Sequence, residues 1–281
     1  MGSPYLEPAP PARPPGGPER PPWPAWYAPV GFLTATFLTL SLVLALERVG
    51  IGSAVPRPAL VIFQAVMQDV ILVCTALFFA ACTVRPKPWH FGLGGAPLGR
   101  ALSWAGRAVL AYVAFMLVAR VYDVLFHPAG QQRIVEALGV DRGLAWVIAG
   151  GVLVVVLAPV AEEVFFRGFF YGSLRGHLGA PGAAVASSLV FALVHFTSEQ
   201  TLSLLPLLGV LGLLFCFFYE RTGSLYPGIA LHALNNAVAY AGLGYTRSLD
   251  GGPAVGLALG LAMLAAAAIA PALLRRAPAG G

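Results

Sequence analysis

The chain has 281 residues, 58% of them hydrophobic and 10% charged, with a formal net charge of +5. A soluble domain carries about 25% charged residues, so the composition excludes an ordinary soluble protein and points to an integral membrane protein. The positive balance matches the basic bias of cytoplasmic membrane loops and calls for no nucleic-acid partner.

The N-terminal segment 1–25 holds ten of the 24 prolines and few large apolar residues. It cannot build a core, which predicts a disordered, Pro-rich tail. The apolar run that follows is too long for a cleavable signal and lacks a small-residue cleavage site, so it is expected to be a first anchor. From there residues 26–281 read as one transmembrane helical domain. About 20 apolar residues cross a bilayer. On that length, spans are expected near 28–46, 59–83, 101–125, 144–173, 182–198, 201–219, 226–244 and 254–274. The fold class is therefore all-α and polytopic, with about eight transmembrane helices. A join at 197–200 separates the fifth span from the sixth, and a seven-span version stays open.

Eight spans put both termini on one side. Nine Lys and Arg residues then fall on the terminal side and five on the other. The positive-inside rule thus expects cytoplasmic termini in a multi-pass cell-membrane protein. Cys74, Cys82 and Cys216 lie in apolar runs with no CxxC pair. They read as small apolar side chains rather than a disulfide framework.

Ionisable residues inside spans are costly and need a partner or a use. Span two carries Asp69 beside Gln64 and Gln68, an ion-pairing or packing residue that Arg107 or Arg120 is expected to meet. Span four carries Glu162, Glu163 and Arg167. Glu163 and Arg167 are four apart, share a helix face and can pair. Glu162 is rotated about 100° from Glu163 and has no partner on its own helix. His195 ends span five. Span seven carries His232 and Asn236, four apart and expected to aim at one point, with Asn235 one step round. Spans four and five should form a hairpin about residues 177–181, and Glu162 and His195 are equidistant from its midpoint. An antiparallel pair brings such residues to the same depth. Counting 1.5 Å per residue puts Glu162 about 10 Å and His232 about 8 Å inside the membrane. A cytoplasm-facing intramembrane cavity follows from that convergence.

Three motifs then stand in order on three spans: EEVFFR (Glu162, Glu163, Arg167), FALVH (Phe191, His195) and HALNN (His232, Asn235, Asn236). Together they resemble EExxxR, FxxxH and HxxxN of the CPBP family. These are the type II CAAX prenyl proteases and the bacteriocin-processing or self-immunity membrane proteins. The resemblance covers about 140–245, the expected protease core, and the HFGL stretch at 90–93 is compatible with it. It implies an eight-helix intramembrane endopeptidase. Glu162 and His195 would activate a water, and His232 and Asn236 would stabilise the oxyanion. Glu163, Arg167, Phe191 and Asn235 would support them.

The residues suit that chemistry. Amide hydrolysis needs an activated water, a proton donor for the leaving amine and donors to the oxyanion. No Ser, Cys or Thr nucleophile is required. Glu162, His195 and His232 also make a His2Glu zinc set. There is no HExxH, and a metal role for Glu162 would leave only Glu163 as base, so metal-free glutamic chemistry is favoured with zinc as the alternative. Two other classes stay open: a non-catalytic immunity or scaffold protein, and a transporter, whose inverted repeats are not visible. The substrate expected is a membrane-embedded or membrane-anchored peptide or protein. The Ala-, Gly-, Pro- and Arg-rich composition speaks for a GC-rich bacterial gene and against a prenylated one.

Overall fold

All secondary structure in the described residues is helical. The computed structural model describes residues 23–126, 137–196, 199–246 and 251–274. Three helices come first: α1 (Tyr27–Arg48), α2 (Arg57–Ala81) and α3 (Leu98–Phe126). The fourth element, α4, is the 50-residue stretch Leu144–Leu193. Then follow α5 (Leu205–Thr222), α6 (Tyr226–Thr246) and α7 (Gly252–Leu273). Proline in the first turn starts α2, α5 and α7, where its missing N–H costs no helical bond.

α4 is not one straight helix. At Gly179 the backbone takes φ +68° and ψ 174° and leaves helical geometry. The two limbs then lie side by side: the Ser187 hydroxyl donates to the Phe166 carbonyl at 3.0 Å. The hairpin expected about 177–181 therefore turns where a glycine permits a positive φ. The first limb is α-helical over Leu144–Gly151 and Ala158–Glu163, and π-helical over Val152–Leu157 and Val164–Tyr171. This limb packs against α1, α2, α5, α6 and α7, which makes it the centre of the bundle.

Six elements among the described residues are long and apolar enough to cross a bilayer: α1, α2, α3, α4, α5 and α7. The protein is a multi-pass membrane protein. The expected figure of eight does not carry over one to one. The fourth and fifth expected spans are the limbs of a single broken element, and the seventh, α6, stands outside those six. The outer helices turn large apolar side chains outward, with Phe37 on α1 69% exposed and Leu110 on α3 71% exposed. Water would not tolerate so continuous an apolar surface, whereas lipid does.

The expected tail falls outside the described residues as far as 22. Its last residues are docked rather than free. Trp23 is buried, with its ring 5.0 Å from Phe91 and 5.8 Å from Phe169. His127, Arg133 and Arg247 also lie outside the described residues, as do residues 197 and 198 of the expected join.

α6 and α7 are held by a small-residue seam. A Cβ on Gly260 would lie 2.5 Å from the Ala237 Cβ, and one on Gly256 would lie 3.1 Å from the Ala237 carbonyl oxygen. Close approach of this kind is how membrane helices pack without a hydrophobic driving force between them. Gly260→Val is expected to lower stability by about 1–3 kcal/mol through overpacking. Thermal unfolding in detergent checks this, with Gly99→Val as the comparison, since nothing lies within 4 Å of a Cβ there.

Candidate active site

The site begins at the short α-helical segment Ala158–Glu163 between the two π-helical stretches. Glu163 and Arg167 follow one another along the helix and form the expected pair, Nη1 to Oε1 at 2.8 Å, with both side chains 0% exposed. The second Arg167 nitrogen, Nη2, donates to the Gly212 carbonyl of α5 at 3.3 Å. The guanidinium also lies 4.4 Å from the Phe191 ring and 4.6 Å from the Phe215 ring. Aromatic faces and one carboxylate thus replace the water that a buried guanidinium has lost.

His232, from α6, meets both glutamates. Its Nδ1 stands 3.3 Å from Glu163 Oε1, the same oxygen that Arg167 holds. Its Nε2 stands 3.7 Å from Glu162 Oε2. A carboxylate accepts, so Nδ1 carries a proton and the ring is oriented with Nε2 toward Glu162. Phe215 fixes the ring plane, stacked at 4.9 Å and 22°. Glu162 Oε2 is buried and has no hydrogen-bond partner among the described residues.

His195 lies just past the end of the second limb of α4, and its Nδ1 donates to the Phe191 carbonyl at 2.7 Å. A carbonyl only accepts, so this bond leaves Nε2 with the lone pair of the neutral ring. His195 and His232 both lie against the Phe191 ring, at 4.9 and 5.7 Å between centroids. Among the described residues no hydrogen bond or ion pair joins His195 to Glu162. The nearest imidazole nitrogen given for Glu162 is His232 Nε2, at 3.7 Å.

Two further expectations change. His232 and Asn236 do not aim at one point, because the Asn236 amide donates to the Val154 carbonyl at 2.9 Å, eight residues before Glu162. Asn235 donates to Asn236 Oδ1 at 3.3 Å. Asp69 meets neither Arg107 nor Arg120, and Arg120 pairs instead with Asp123 at 2.6 Å. Asp69 is buried on α2, which packs on Ala158–Glu163. A carboxylate read as structural from sequence is thus a neighbour of the site.

The zinc alternative needs three converging ligands. Among the described residues no group of three His, Cys, Asp or Glu side chains gathers to hold a metal ion. Glu162 and His232 approach each other, but His195 does not complete a set with them.

Comparison with known proteins bears on the same stretch. Residues 144–238 match the family model described as Type II CAAX prenyl endopeptidase Rce1-like. That stretch is thus similar to the type II CAAX prenyl endopeptidases. It is 25% identical over 134 residues to "Uncharacterized protein YyaK" of Bacillus subtilis, covering 45% of this chain and 43% of that protein. It is 30% identical over 81 residues to "Putative membrane peptidase YdiL" of the same organism, covering 29% of this chain and 32% of that one. The matches thus span less than half the length of these curated relatives. No solved structure matches the chain.

The CPBP motifs name the ionisable residues but not what encloses them. Phe215 stacks on His232 and faces Arg167, yet within FCFF it is one aromatic among several. Gly228 sits where a Cβ would come 3.0 Å from Glu163 Oε2. The HFGL stretch docks against the same limb. Phe91 packs on Gly168, and Gly92, at φ +76°, accepts from the Leu225 amide at 2.9 Å just ahead of α6.

Breaking a buried pair strands the charge left behind at a cost of about 3–5 kcal/mol. Arg167→Leu is therefore expected to be strongly destabilised. Glu163→Leu/Arg167→Leu should recover much of that loss, because neither charge remains. Unfolding midpoints of the two variants in one detergent check the order.

Proposed function

We propose that the protein is an intramembrane endopeptidase that hydrolyses a peptide bond of a membrane-anchored peptide or protein with a water activated by Glu162. The observation that carries this reading is the chain of contacts Arg167–Glu163–His232–Glu162. One carboxylate is neutralised and spent on orienting a histidine. The other has its buried Oε2 without a hydrogen-bond partner, 3.7 Å from that histidine. This division of labour suits general-base chemistry, where one carboxylate must stay free to take a proton.

In the proposed reaction Glu162 takes a proton from the attacking water as its oxygen bonds to the scissile carbonyl carbon. The carbonyl π electrons move to oxygen, and His232 in its imidazolium form, with protons on both Nδ1 and Nε2, donates from Nε2 to that oxyanion. The C–N bond then breaks. The leaving nitrogen takes the proton held by Glu162, directly or through the open Nε2 of His195. Glu163 and Arg167 do not touch the substrate. Asn236, which the family resemblance makes an oxyanion donor, has one amide proton committed to Val154. The cell membrane is the proposed location, with both termini in the cytoplasm.

Purified protein in proteoliposomes is expected to cleave a fluorogenic membrane peptide, and Glu162→Gln to reduce kcat by about 10²–10⁴-fold. Unchanged turnover in Glu162→Gln rejects the general-base role. An absence of cleavage by the unaltered protein across a library of membrane-anchored peptides favours the immunity or scaffold reading. Exhaustive chelation is expected to leave turnover intact. Turnover lost to the chelator and restored by zinc alone contradicts the metal-free mechanism.

A further inference from the structure

The π-helical stretch Val152–Leu157 creates a specific deficit. At its end the Ala158 amide donates to the Leu153 carbonyl, five residues back. In that register the next carbonyl, Val154, requires the amide of residue 159. Residue 159 is proline, which has no N–H. The Val154 carbonyl is therefore left without a backbone donor inside the bundle, where an unpaired polar group is expensive. The donor comes from α6: Asn236 Nδ2 to the Val154 oxygen at 2.9 Å.

A second α6 side chain acts at the other end of the same stretch. The Tyr240 hydroxyl donates to the Val147 carbonyl at 2.7 Å. Gly151 is the last α-helical residue before the π register begins. The two glycines there make room, since a Cβ on Gly150 would lie 3.1 Å from the Tyr240 oxygen and one on Gly151 3.5 Å from its ring. His232, Asn236 and Tyr240 are spaced by four, so they share one face of α6. In descending order along α6 they meet Val147, Val154 and the two glutamates in ascending order along α4.

We propose that Asn236 and Tyr240 are positioning residues. From one face of α6 they satisfy the α4 backbone where its register changes, and so set the rotation at which α4 presents Glu162 and Glu163 to His232. A change of register by one residue per turn turns everything beyond it about the helix axis. The rotation must then be pinned, and the side chains that pin it stand on the same helix face as the histidine that reads it. The catalytic consequence rests on the proposed protease activity, whereas the backbone role does not.

The decisive experiment is a suppressor. Asn236→Leu removes the donor to Val154 while keeping the volume, and Pro159→Ala restores a backbone N–H that can reach the same carbonyl. Hydrogen–deuterium exchange of the full chain in detergent reads residues 148–163 without reference to activity, and kcat and KM are measured beside it. Asn236→Leu is expected to speed exchange there tenfold or more and to lower kcat about tenfold or more with KM unchanged. Adding Pro159→Ala should recover most of both. Tyr240→Phe keeps the ring and is expected to speed exchange over 148–154 and lower kcat several-fold at constant KM. It carries the test if Asn236→Leu does not accumulate in membranes. Exchange unchanged in Asn236→Leu and Tyr240→Phe overturns the proposal. So does a loss of kcat in Asn236→Leu that Pro159→Ala does not relieve, which is the behaviour of a group touching the substrate. If the unaltered protein cleaves nothing, the exchange arm still decides the backbone role, and only the protease reading fails.

Discussion

Arg167 is fully enclosed, and its charge is met by one glutamate, one carbonyl and three phenyl rings. Every other feature of the site follows from that pair. Glu163 Oε1 accepts from Arg167 and stands in reach of His232 Nδ1, so a structural ion pair becomes the reference point for a histidine on another helix. The histidine ring then shows its second nitrogen to Glu162. A buried ion pair is weak evidence for stability on its own, because desolvation offsets most of the attraction. Here its value lies in direction: it gives a flat ring on α6 one orientation toward α4.

The same pair accounts for the aromatic packing around it. Phe191 and Phe215 each touch Arg167 and also a histidine, Phe191 both His195 and His232, and Phe215 His232. These rings exclude water and lock rotamers, so the imidazoles are placed by packing as well as by hydrogen bonds. α6 is in turn held by the small-residue seam with α7, where Gly256 and Gly260 admit close approach. Positional accuracy at the glutamates thus depends also on α5 and α7, which carry none of the proposed reacting groups.

Much of this was legible from residue type and spacing. The apolar runs located the helices to within a few residues, since a helix in lipid must satisfy its own backbone and has little freedom in length. Glu163 and Arg167 were readable as a pair because four residues bring them to one face. Glu162 was readable as the charge left over. What spacing could not supply was register. The 3.6-residue period assumes an α-helix, and the first limb of α4 changes to π twice. The signs were present in Gly150, Gly151 and Pro159, but they do not say which helix repairs the backbone. Reading His232 and Asn236 as converging failed for that reason: the spacing was right, while the carbonyl at Val154 claimed the amide. Asp69 was misplaced because partners on other helices depend on how the bundle closes, and no spacing along one helix reports that.

The central claim is that Glu163, held by Arg167, orients His232 so that its Nε2 faces Glu162. Nitrogen-15 NMR of histidine-labelled protein in micelles measures this directly through the His232 ring signals, assigned with His232→Gln. The account predicts that Glu163→Gln shifts the Nδ1 signal and alters the tautomer, while Glu162→Gln perturbs chiefly Nε2. His232 signals that Glu163→Gln leaves unchanged would contradict it.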